Sequence, residues 1–383
     1  MDRSGFQRAF GWPGSRRQGE LGRRVVALSW HSMLQGCRAV GLAAWLVGSS
    51  ADGLSQAPAA SETPSPNLAP AQLQALERAT QAVVVVRSEA VEGARSARTL
   101  GRQREGSGIV IGADGLVLTI GYLVLEAEKV WITDADGRTR PARVLAQDLA
   151  SGFALLQSLV PLNIAPVALG TATNGSADEP LLVASGGDDG RASLAQLLSR
   201  RPFSGYWEYH LDEALYTAPA RRDHSGAGLF NLRGELVGVG SLVLSNAAVE
   251  GQPRTAGNLF VPTDLLNPIL GSLRQRSGSA AAAAVTAAPR AWLGVNCTER
   301  DGELWVLRVT EDSPAERAGL VVGDRIIAID GRPVTELGAL WKALWNGGAE
   351  RDVTLQIRRQ GQLRDVAVRT VDRAGTLKRP EGV

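Results

Sequence analysis

The segment GSGIVIGADGLVLT, residues 106–119, decides how this chain folds. It holds two short apolar runs separated by Ala-Asp-Gly, and an Asp-Gly pair between apolar strands is typical of a tight antiparallel turn. A second Asp-Gly pair, residues 136–137, stands between further alternating residues. The segment therefore predicts one β-hairpin, and its recurrence predicts a protein built largely from hairpins.

The same pattern extends outward in both directions from residues 106–119. A run of β-branched residues at 83–86 predicts a buried strand, and before it Leu73, Leu76 and Ala79 recur at the spacing of a short amphipathic helix. Further strand-like stretches follow in the order EPLLVASG, YWEYH, GELVGVGSLVL and GNLFVP. Many short strands with little helical periodicity predict a mainly β fold, either a sandwich or a pair of barrels.

Composition narrows the function classes. The chain has 383 residues, which is enough for two domains, and its 41 basic residues nearly balance its 39 acidic ones, for a net charge of +2. That balance gives no reason to expect nucleic-acid binding. With 2 cysteines and 3 histidines and no C-x-x-C pair, the sequence predicts no metal site, and we expect no cofactor.

The N-terminal region differs from the rest of the chain. Residues 1–51 combine arginine pairs with the apolar run AVGLAAWLVG and a following Ser-Ser-Ala, which is typical of a secretory signal peptide. An uncleaved membrane anchor stays open as the alternative, although the run is only about half the length that crosses a bilayer. Residues 52–70 are rich in Pro, Ser and Ala and predict a disordered linker.

The stretches 106–119, DGRTRPARVLAQD, PVALG, SGAGLFNLRGELVGV and GNLFVPTDLL follow one another as in the HtrA/DegP-type trypsin-like serine proteases. Residues 71–272 resemble that family's protease domain. The resemblance implies a chymotrypsin-like double β-barrel whose site lies between the barrels. The family's nucleophile motif falls on residues 223–228 and keeps Ser225.

The other two members of the catalytic triad are missing from the matching positions. The family's base histidine falls on Tyr122, in Thr119-Ile-Gly-Tyr-Leu-Val124. The orienting aspartate falls on Gly152, while Asp148 matches an earlier aspartate of the motif. The resemblance therefore implies a degenerate domain, a pseudoprotease.

Elementary chemistry supports that interpretation. A neutral phenol is a weak proton acceptor, and its ordinary pKa of about 10 leaves little phenolate at neutral pH, so Tyr122 is a poor base. Gly152 offers no carboxylate to orient a base. The first oxyanion-hole donor would be the N–H of Asp223, whose own carboxylate would repel a developing oxyanion. His224 adjoins Ser225 on a tight loop and should point away from it, and His210 is expected to be structural.

A second folded unit follows the barrels. Residues 273–289, rich in Ala, Ser and Gly, predict a linker, and residues 374–383 a tail. Between them, residues 290–373 resemble the PDZ domain of HtrA proteases through SPAERAGL, residues 313–320, followed by Gly-Asp, Ile and Asp-Gly at the family's spacing. The fold class expected for the whole chain is thus mainly β, a double barrel followed by a small α+β PDZ domain.

The resemblance also implies a peptide-binding site. Leu293-Gly294-Val295 match the family's loop, whose backbone N–H groups receive the C-terminal carboxylate of a peptide that adds as a strand. A helix from about residue 336 to residue 345 should form the other wall of the groove. On it, Leu337 and Trp341 are the candidates that face the groove.

Two functions from different classes remain open. The first is an exported, periplasmic pseudoprotease, with its N-terminus as a candidate tether to the inner membrane, that binds unfolded or C-terminal peptides as a scaffold or regulator in protein quality control. Its assembly as a homotrimer, or with an active relative, is implied by the family. The alternative is an active serine endopeptidase in which Ser225 uses an unorthodox or partner-supplied base. Chaperone-like holding of unfolded chains is a further alternative.

Overall fold

The computed structural model describes residues 68–172, 179–187, 192–267, 269–271, 285–286 and 289–379. The expected signal or anchor at 1–51 lies outside these residues, as does most of the expected linker at 52–70. Among the helices that are described, none has both the length and the apolar character needed to span a bilayer.

The first barrel contains the hairpin that was predicted for residues 106–119. Its strands are β1 (Val83–Ala90), β2 (Gln103–Val110), β3 (Leu116–Ile120), β4 (Ala127–Thr133), β5 (Thr139–Gln147) and β6 (Phe153–Ser158). They pair in the order β1-β2-β3-β6-β5-β4, and β4 returns to β1 to close the barrel. Both Asp-Gly hairpins are confirmed, because β2 pairs with β3 and β4 pairs with β5 in antiparallel register.

Two helices accompany this barrel. Helix α1 (Pro70–Gln81) confirms the expected amphipathic helix and buries Leu76 and Ala79. A single turn, α2 (Ala97–Leu100), lies in the connection between β1 and β2.

The second barrel is also closed. Its strands are β7 (Leu181–Ala184), β8 (Ala192–Gly205), β9 (Tyr209–Ala218), β10 (Gly228–Phe230), β11 (Leu236–Leu244) and β12 (Gly257–Pro262), and they pair in the order β10-β11-β12-β9-β8-β7. The prediction that YWEYH forms a strand was wrong for its first three residues. Gly205 pairs with Tyr209, so residues 206–208 form a three-residue turn. Glu208 supplies the left-handed conformation that such turns need, at a φ of 55°.

The C-terminal domain is a small sheet with two helices. Its elements are β14 (Ala291–Trp292), β15 (Val295–Arg300), β16 (Glu303–Val309), α3 (Pro314–Arg317), β17 (Arg325–Ile329), β18 (Arg332–Pro333), α4 (Leu337–Trp345), β19 (Asp352–Arg359), β20 (Gln362–Arg369) and β21 (Val371–Asp372). The main sheet has the order β15-β16-β17-β19-β20. A short strand, β13 (Val285–Thr286), lies within the segment expected to be a linker and pairs in parallel with β5.

Hydrophobic clusters hold these layers together. One cluster contains residues of both barrels, such as Ile109 and Phe153 from the first and Phe230 and Val239 from the second. Each buried side chain of this size contributes roughly 2–3 kcal/mol, so the two barrels stabilise one another across their contact. The C-terminal domain has its own cluster around Trp341. The barrels and this domain belong to one compact unit, Pro64–Val383.

A buried ion pair fixes the start of β17. The Asp324 side chain is 0% exposed and accepts from Arg359 Nε at 2.6 Å and Nη2 at 2.7 Å. On the same sheet Asp352 pairs with Arg369 at 3.1 Å, but both of those side chains are largely exposed. Both are Asp–Arg pairs, but Asp324 is fully buried and also accepts from Val321 N at 2.9 Å, whereas the Asp352 pair is a single exposed contact.

We expect Asp324→Ala to lower the free energy of unfolding by about 3 kcal/mol, because it removes, at a buried site, both the charged partner of Arg359 and the acceptor of the Val321 N–H. Asp352→Ala, the matched control, should change it by less than about 1 kcal/mol, since exposed pairs contribute little. Urea denaturation followed by circular dichroism measures both. Equal losses in the two variants would contradict the role given to burial.

Candidate functional site

Glycines let the Ser225 loop approach the first barrel. Ser107 N donates to the Ser225 carbonyl at 2.8 Å, which joins the nucleophile loop to β2. Gly226 has a φ of +73°, and a Cβ there would lie 2.0 Å from the Ser107 carbonyl oxygen. A Cβ on Gly106 would lie 2.6 Å from the Ser225 oxygen. These close approaches explain why glycine occurs both at position 106 in β2 and at position 226 in the nucleophile loop.

Tyr122 lies directly against Ser225. Its Oη is 2.9 Å from Ser225 Oγ and 2.8 Å from the carbonyl oxygen of Ser241. A phenol has one proton, and a carbonyl oxygen can only accept; when Tyr122 donates to Ser241, the Ser225 hydroxyl must therefore donate to Tyr122. The structure thus brings these two residues of the expected site together.

The Tyr122 phenol stays protonated in this environment. Burial raises the pKa of Tyr122 well above its ordinary value, and the hydrogen bond with Ser225 offsets this only in part. Because a protonated phenol oxygen is a very weak base, it cannot remove the Ser225 proton efficiently. The contact therefore satisfies the serine hydroxyl without activating it.

Arg104 holds the Tyr122 turn in place, and the sequence analysis did not identify it. This buried guanidinium donates from Nη1 to the carbonyl oxygens of Tyr122, at 2.9 Å, and Leu125, at 2.7 Å. Its Nη2 donates to Ser96 Oγ at 2.7 Å. Only its burial distinguishes Arg104 from the other described arginines of the chain, and burial cannot be recognised from the sequence.

At the expected aspartate position, the backbone leaves little room for a side chain. Gly152 has a φ of +82°, and a Cβ built on it would lie 3.0 Å from Tyr209 Oη. The turn before it is held by Asp148, whose carboxylate accepts from Ser151 N at 3.0 Å and Ser151 Oγ at 2.7 Å. Gly121 N donates to the Gly152 carbonyl at 2.6 Å. Asp148 therefore stabilises a turn, and Gly152 joins that turn to the Tyr122 segment.

The Asp223 carboxylate is bound within the nucleophile loop. It accepts from Arg221 Nε at 3.0 Å and from Ser185 Oγ. Burial alone would raise the pKa of Asp223, but these hydrogen bonds and the charge of Arg221 outweigh it, so the pKa lies below its usual value. A charged carboxylate is therefore fixed on the residue whose N–H the resemblance assigns to the oxyanion hole.

The two described histidines have other partners. His224 Nδ1 lies 3.0 Å from the Arg222 carbonyl, and His210 lies 2.9 Å from Ser204 Oγ through Nδ1 and 3.3 Å from Asp212 through Nε2. Over the described part of the chain, neither ring hydrogen-bonds Ser225. Burial lowers the pKa of both histidines.

The expected peptide loop has the backbone that carboxylate binding needs. Gly294 has a φ of +88°, and a Cβ there would lie 2.2 Å from the Ser313 Cβ. The consecutive N–H groups of Leu293, Gly294 and Val295 converge on one carboxylate, that of Glu208. Glu208 was missed by the sequence analysis, since nothing in YWEYH points to a partner so far along the chain.

The expected second wall is helix α4. Leu337 and Trp341, which were expected to face the groove, are buried together with Leu340 and Leu344, which were expected to face the core. Trp341 Nε1 donates to the Gly205 carbonyl at 2.9 Å, so this residue contacts the turn that carries Glu208. The groove side of the helix is thus covered in this structure.

Comparison with known proteins matches both parts of the chain. The sequence profile of the trypsin-like peptidase domain matches residues 106–239, and that of the PDZ domain matches residues 291–370. A probable periplasmic serine endoprotease DegP-like protein of Pseudomonas fulva is 30% identical over 308 residues, 74% of this chain and 59% of that protein. The periplasmic serine endoprotease DegP of Escherichia coli is 25% identical over 272 residues, 67% and 55% of the two chains.

Among solved structures, the HtrA-type protease AlgW with a decapeptide covers 79% of this chain and 98% of that chain, at 18% identity and a TM-score of 0.49. The chain spans little more than half the length of the two DegP-type relatives. With its double barrel followed by a PDZ domain, this chain belongs to the HtrA/DegP-type proteins of the trypsin-like peptidase class.

We expect that a carboxylate cannot simply be restored at position 152. Gly152→Asp should lower the free energy of unfolding by about 3 kcal/mol, because it combines a left-handed backbone with a Cβ close to Tyr209 Oη. The matched control is Gly137→Asp, since Gly137 has a φ of +79° but nothing within 4 Å of its Cβ position. That variant should lose only about 1 kcal/mol. Thermal and urea unfolding of both proteins measure the difference, and equal losses would contradict the steric argument.

Proposed function

We propose that this chain is an exported HtrA-type pseudoprotease that binds extended or C-terminal peptide segments through its PDZ domain. The observation that carries the first half is the 2.9 Å contact of Ser225 Oγ with Tyr122 Oη. A serine hydroxyl is a poor nucleophile until a positioned base takes its proton. Here its neighbour at the base position is a protonated phenol.

Two further features of the site support an inactive domain. An orienting carboxylate would strain the backbone at Gly152, so a base at position 122 would have no acid behind it. The Asp223 carboxylate is held on the residue whose N–H would be the first oxyanion donor, and it would repel the negative charge that develops during acyl transfer. Loss of the base alone costs on the order of 10⁶ in kcat in a serine protease. The combined losses favour a binding protein over an enzyme.

The PDZ loop supports the second half of the proposal. Its three consecutive N–H groups bind a carboxylate at distances of 2.7–3.1 Å. Hydrogen bonds from N–H groups to a charged carboxylate are among the stronger ones in proteins, and a peptide held at this loop would lie along the edge of β15, the position for strand addition. A peptide ending in a free carboxylate is therefore the ligand class that this loop favours.

The proposed setting is protein quality control outside the cytoplasm. The arginine-rich, apolar N-terminal segment is typical of an export signal, and the DegP-type relatives carry periplasmic names. By analogy with the family, we propose that the barrels act as a scaffold or assembly surface, as a homotrimer or together with an active relative. The PDZ domain would then present captured peptides to that assembly.

The lack of proteolytic activity is directly testable. The purified chain should not cleave unfolded casein, and a fluorophosphonate probe should not label Ser225, with Escherichia coli DegP as the positive control. Tyr122→His alone should not restore cleavage, because no carboxylate would orient the new imidazole.

Ser225→Ala is the matched control, and it should be indistinguishable from the unchanged chain in both assays. Labelling of the unchanged chain that disappears in Ser225→Ala would overturn the pseudoprotease proposal. It would instead favour an endopeptidase with an unorthodox or partner-supplied base.

Peptide binding should depend on the carboxylate loop. A pool of random decapeptides with free C-termini should bind at least about 10-fold more tightly than the same pool with C-terminal amides. The reason is that a free carboxylate accepts charged hydrogen bonds from the loop, whereas an amide is neutral. Gly294→Ala should abolish this preference, because its Cβ would collide with Ser313. Gly302→Ala, at a φ of +69° and with nothing within 4 Å, is the control that should keep it. Equal binding of acid and amide pools, measured by fluorescence anisotropy, would refute the proposed ligand class.

A further inference from the structure

The PDZ groove already contains a segment of this chain. We name residues 205–209, which connect β8 and β9 of the second barrel, the docking turn. It contacts the groove at three places that a bound peptide would use: the carboxylate loop, the edge of β15 and the wall formed by α4.

The first contact is at the carboxylate loop. Glu208 Oε1 accepts from Gly294 N at 2.7 Å and from Val295 N at 2.9 Å, and Oε2 accepts from Leu293 N at 3.1 Å. Glu208 is 2% exposed. Its side-chain carboxylate therefore occupies all three donors of the loop, and a second carboxylate cannot use them at the same time.

The second and third contacts are hydrogen bonds at the two walls of the groove. Cys297 N, on the edge of β15, donates to the Tyr206 carbonyl at 2.9 Å. On the opposite side, Trp341 Nε1 of α4 donates to the Gly205 carbonyl at 2.9 Å. The docking turn thus lies between the strand and the helix that the PDZ resemblance assigns to the two walls of the groove.

The turn is held in a shape that serves this contact. Glu208 adopts a φ of 55°, a left-handed conformation that is strained for a non-glycine residue. The backbone carbonyl of Glu208 accepts from Arg373 Nη1 at 3.1 Å. The C-terminal domain therefore binds both the backbone and the side-chain carboxylate of Glu208. Within the turn, the ring of Trp207 lies nearly parallel to that of Tyr209, with 6.0 Å between the ring centroids. A glycine would relieve the strain but could not supply the carboxylate.

The docked Glu208 carboxylate is buried, and its burial has an electrostatic cost. Burial raises the pKa of Glu208, although the N–H groups of the loop and the charge of Arg373 act in the opposite direction. The hydrogen bonds and the charge of Arg373 therefore offset only part of the free-energy cost of removing the Glu208 carboxylate from water. Around it, the Lys342–Asp212 ion pair at 2.5 Å is exposed and contributes little to holding the turn.

We infer that the docking turn is an intramolecular ligand of the PDZ groove, so that a peptide C-terminus binds only by displacing the Glu208 carboxylate. This rests on the proposed peptide-binding function and adds its regulation. The apparent affinity for peptide is then the intrinsic affinity reduced by the fraction of molecules whose groove is open. Because the turn is tethered, its effective concentration at the groove is high, and weak peptides are excluded.

The test uses the full chain with Glu208→Ala, and Glu213→Ala as the matched control, since Glu213 is an exposed glutamate on β9. The probe is the pool of random decapeptides with free C-termini, measured by fluorescence anisotropy. Glu208→Ala should bind about 10-fold or more tightly than the unchanged chain. Glu213→Ala should bind as the unchanged chain does. Glu208→Gln, which keeps the side-chain length and loses the charge, should fall between them and serves if the alanine variant is unstable.

Hydrogen–deuterium exchange provides a readout that needs no peptide. In Glu208→Ala the amides of residues 293–295 should exchange faster than in the unchanged chain, while those of the β19–β20 pair should not change. Unchanged protection of residues 293–295 would overturn the contact itself.

The outcomes separate this inference from the proposed function. If Glu208→Ala and the unchanged chain bind the free-carboxylate pool equally, the inference is overturned and peptide binding stands. If neither binds the pool, the peptide-binding function fails, and the inferred competition fails with it. Tighter binding by Glu208→Ala together with faster exchange at the loop supports both.

Discussion

The candidate active site depends on one small hydrogen-bonded group: the Tyr122 hydroxyl between Ser225 Oγ and the Ser241 carbonyl. The carbonyl can only accept, so the phenol proton is directed to it and the serine hydroxyl to the phenol. Burial keeps that phenol protonated. Every element that would bring a nucleophile and a base together is present in the fold, yet the group at the base position satisfies the serine and does not activate it.

The second barrel, which supplies Ser225 to this site, also supplies Glu208 to the peptide loop. Tyr209, which follows Glu208, donates from Oη to the Ser151 carbonyl at 2.6 Å, and Gly121 N donates to the adjacent Gly152 carbonyl at 2.6 Å. The docking turn is thus continuous, through hydrogen bonds, with the segment that holds Tyr122. The same hydrogen-bonded segments therefore connect the two sites. At position 152 of the candidate active site no carboxylate is present, whereas at the peptide loop the carboxylate of Glu208 is buried.

Local signals predicted much of the fold because each hairpin is specified by a few neighbouring residues. The Asp-Gly turns, the β-branched run of β1 and the apolar spacing of α1 and α4 all act within one element, and the structure confirms them. YWEYH was assigned to a strand because aromatic residues favour strands. Its first three residues form a turn instead, since Glu208 takes up a left-handed conformation that its contact with a distant loop supports. No local pattern could have identified Glu208 or Arg104.

The sequence by itself determined which chemical groups are available: a serine at 225, a phenol at 122, no carboxylate at 152 and a glycine at 294. Side-chain identity limits what a position can donate, accept or ionise, whatever surrounds it. Only the tertiary structure decided how these groups are used. The contacts of Tyr122 with Ser225 and Ser241 follow from the packing of the two barrels, and the occupancy of the PDZ loop follows from the packing of two domains that places Glu208 against residues 293–295. Contacts between segments so far apart depend on that packing, which no single segment encodes.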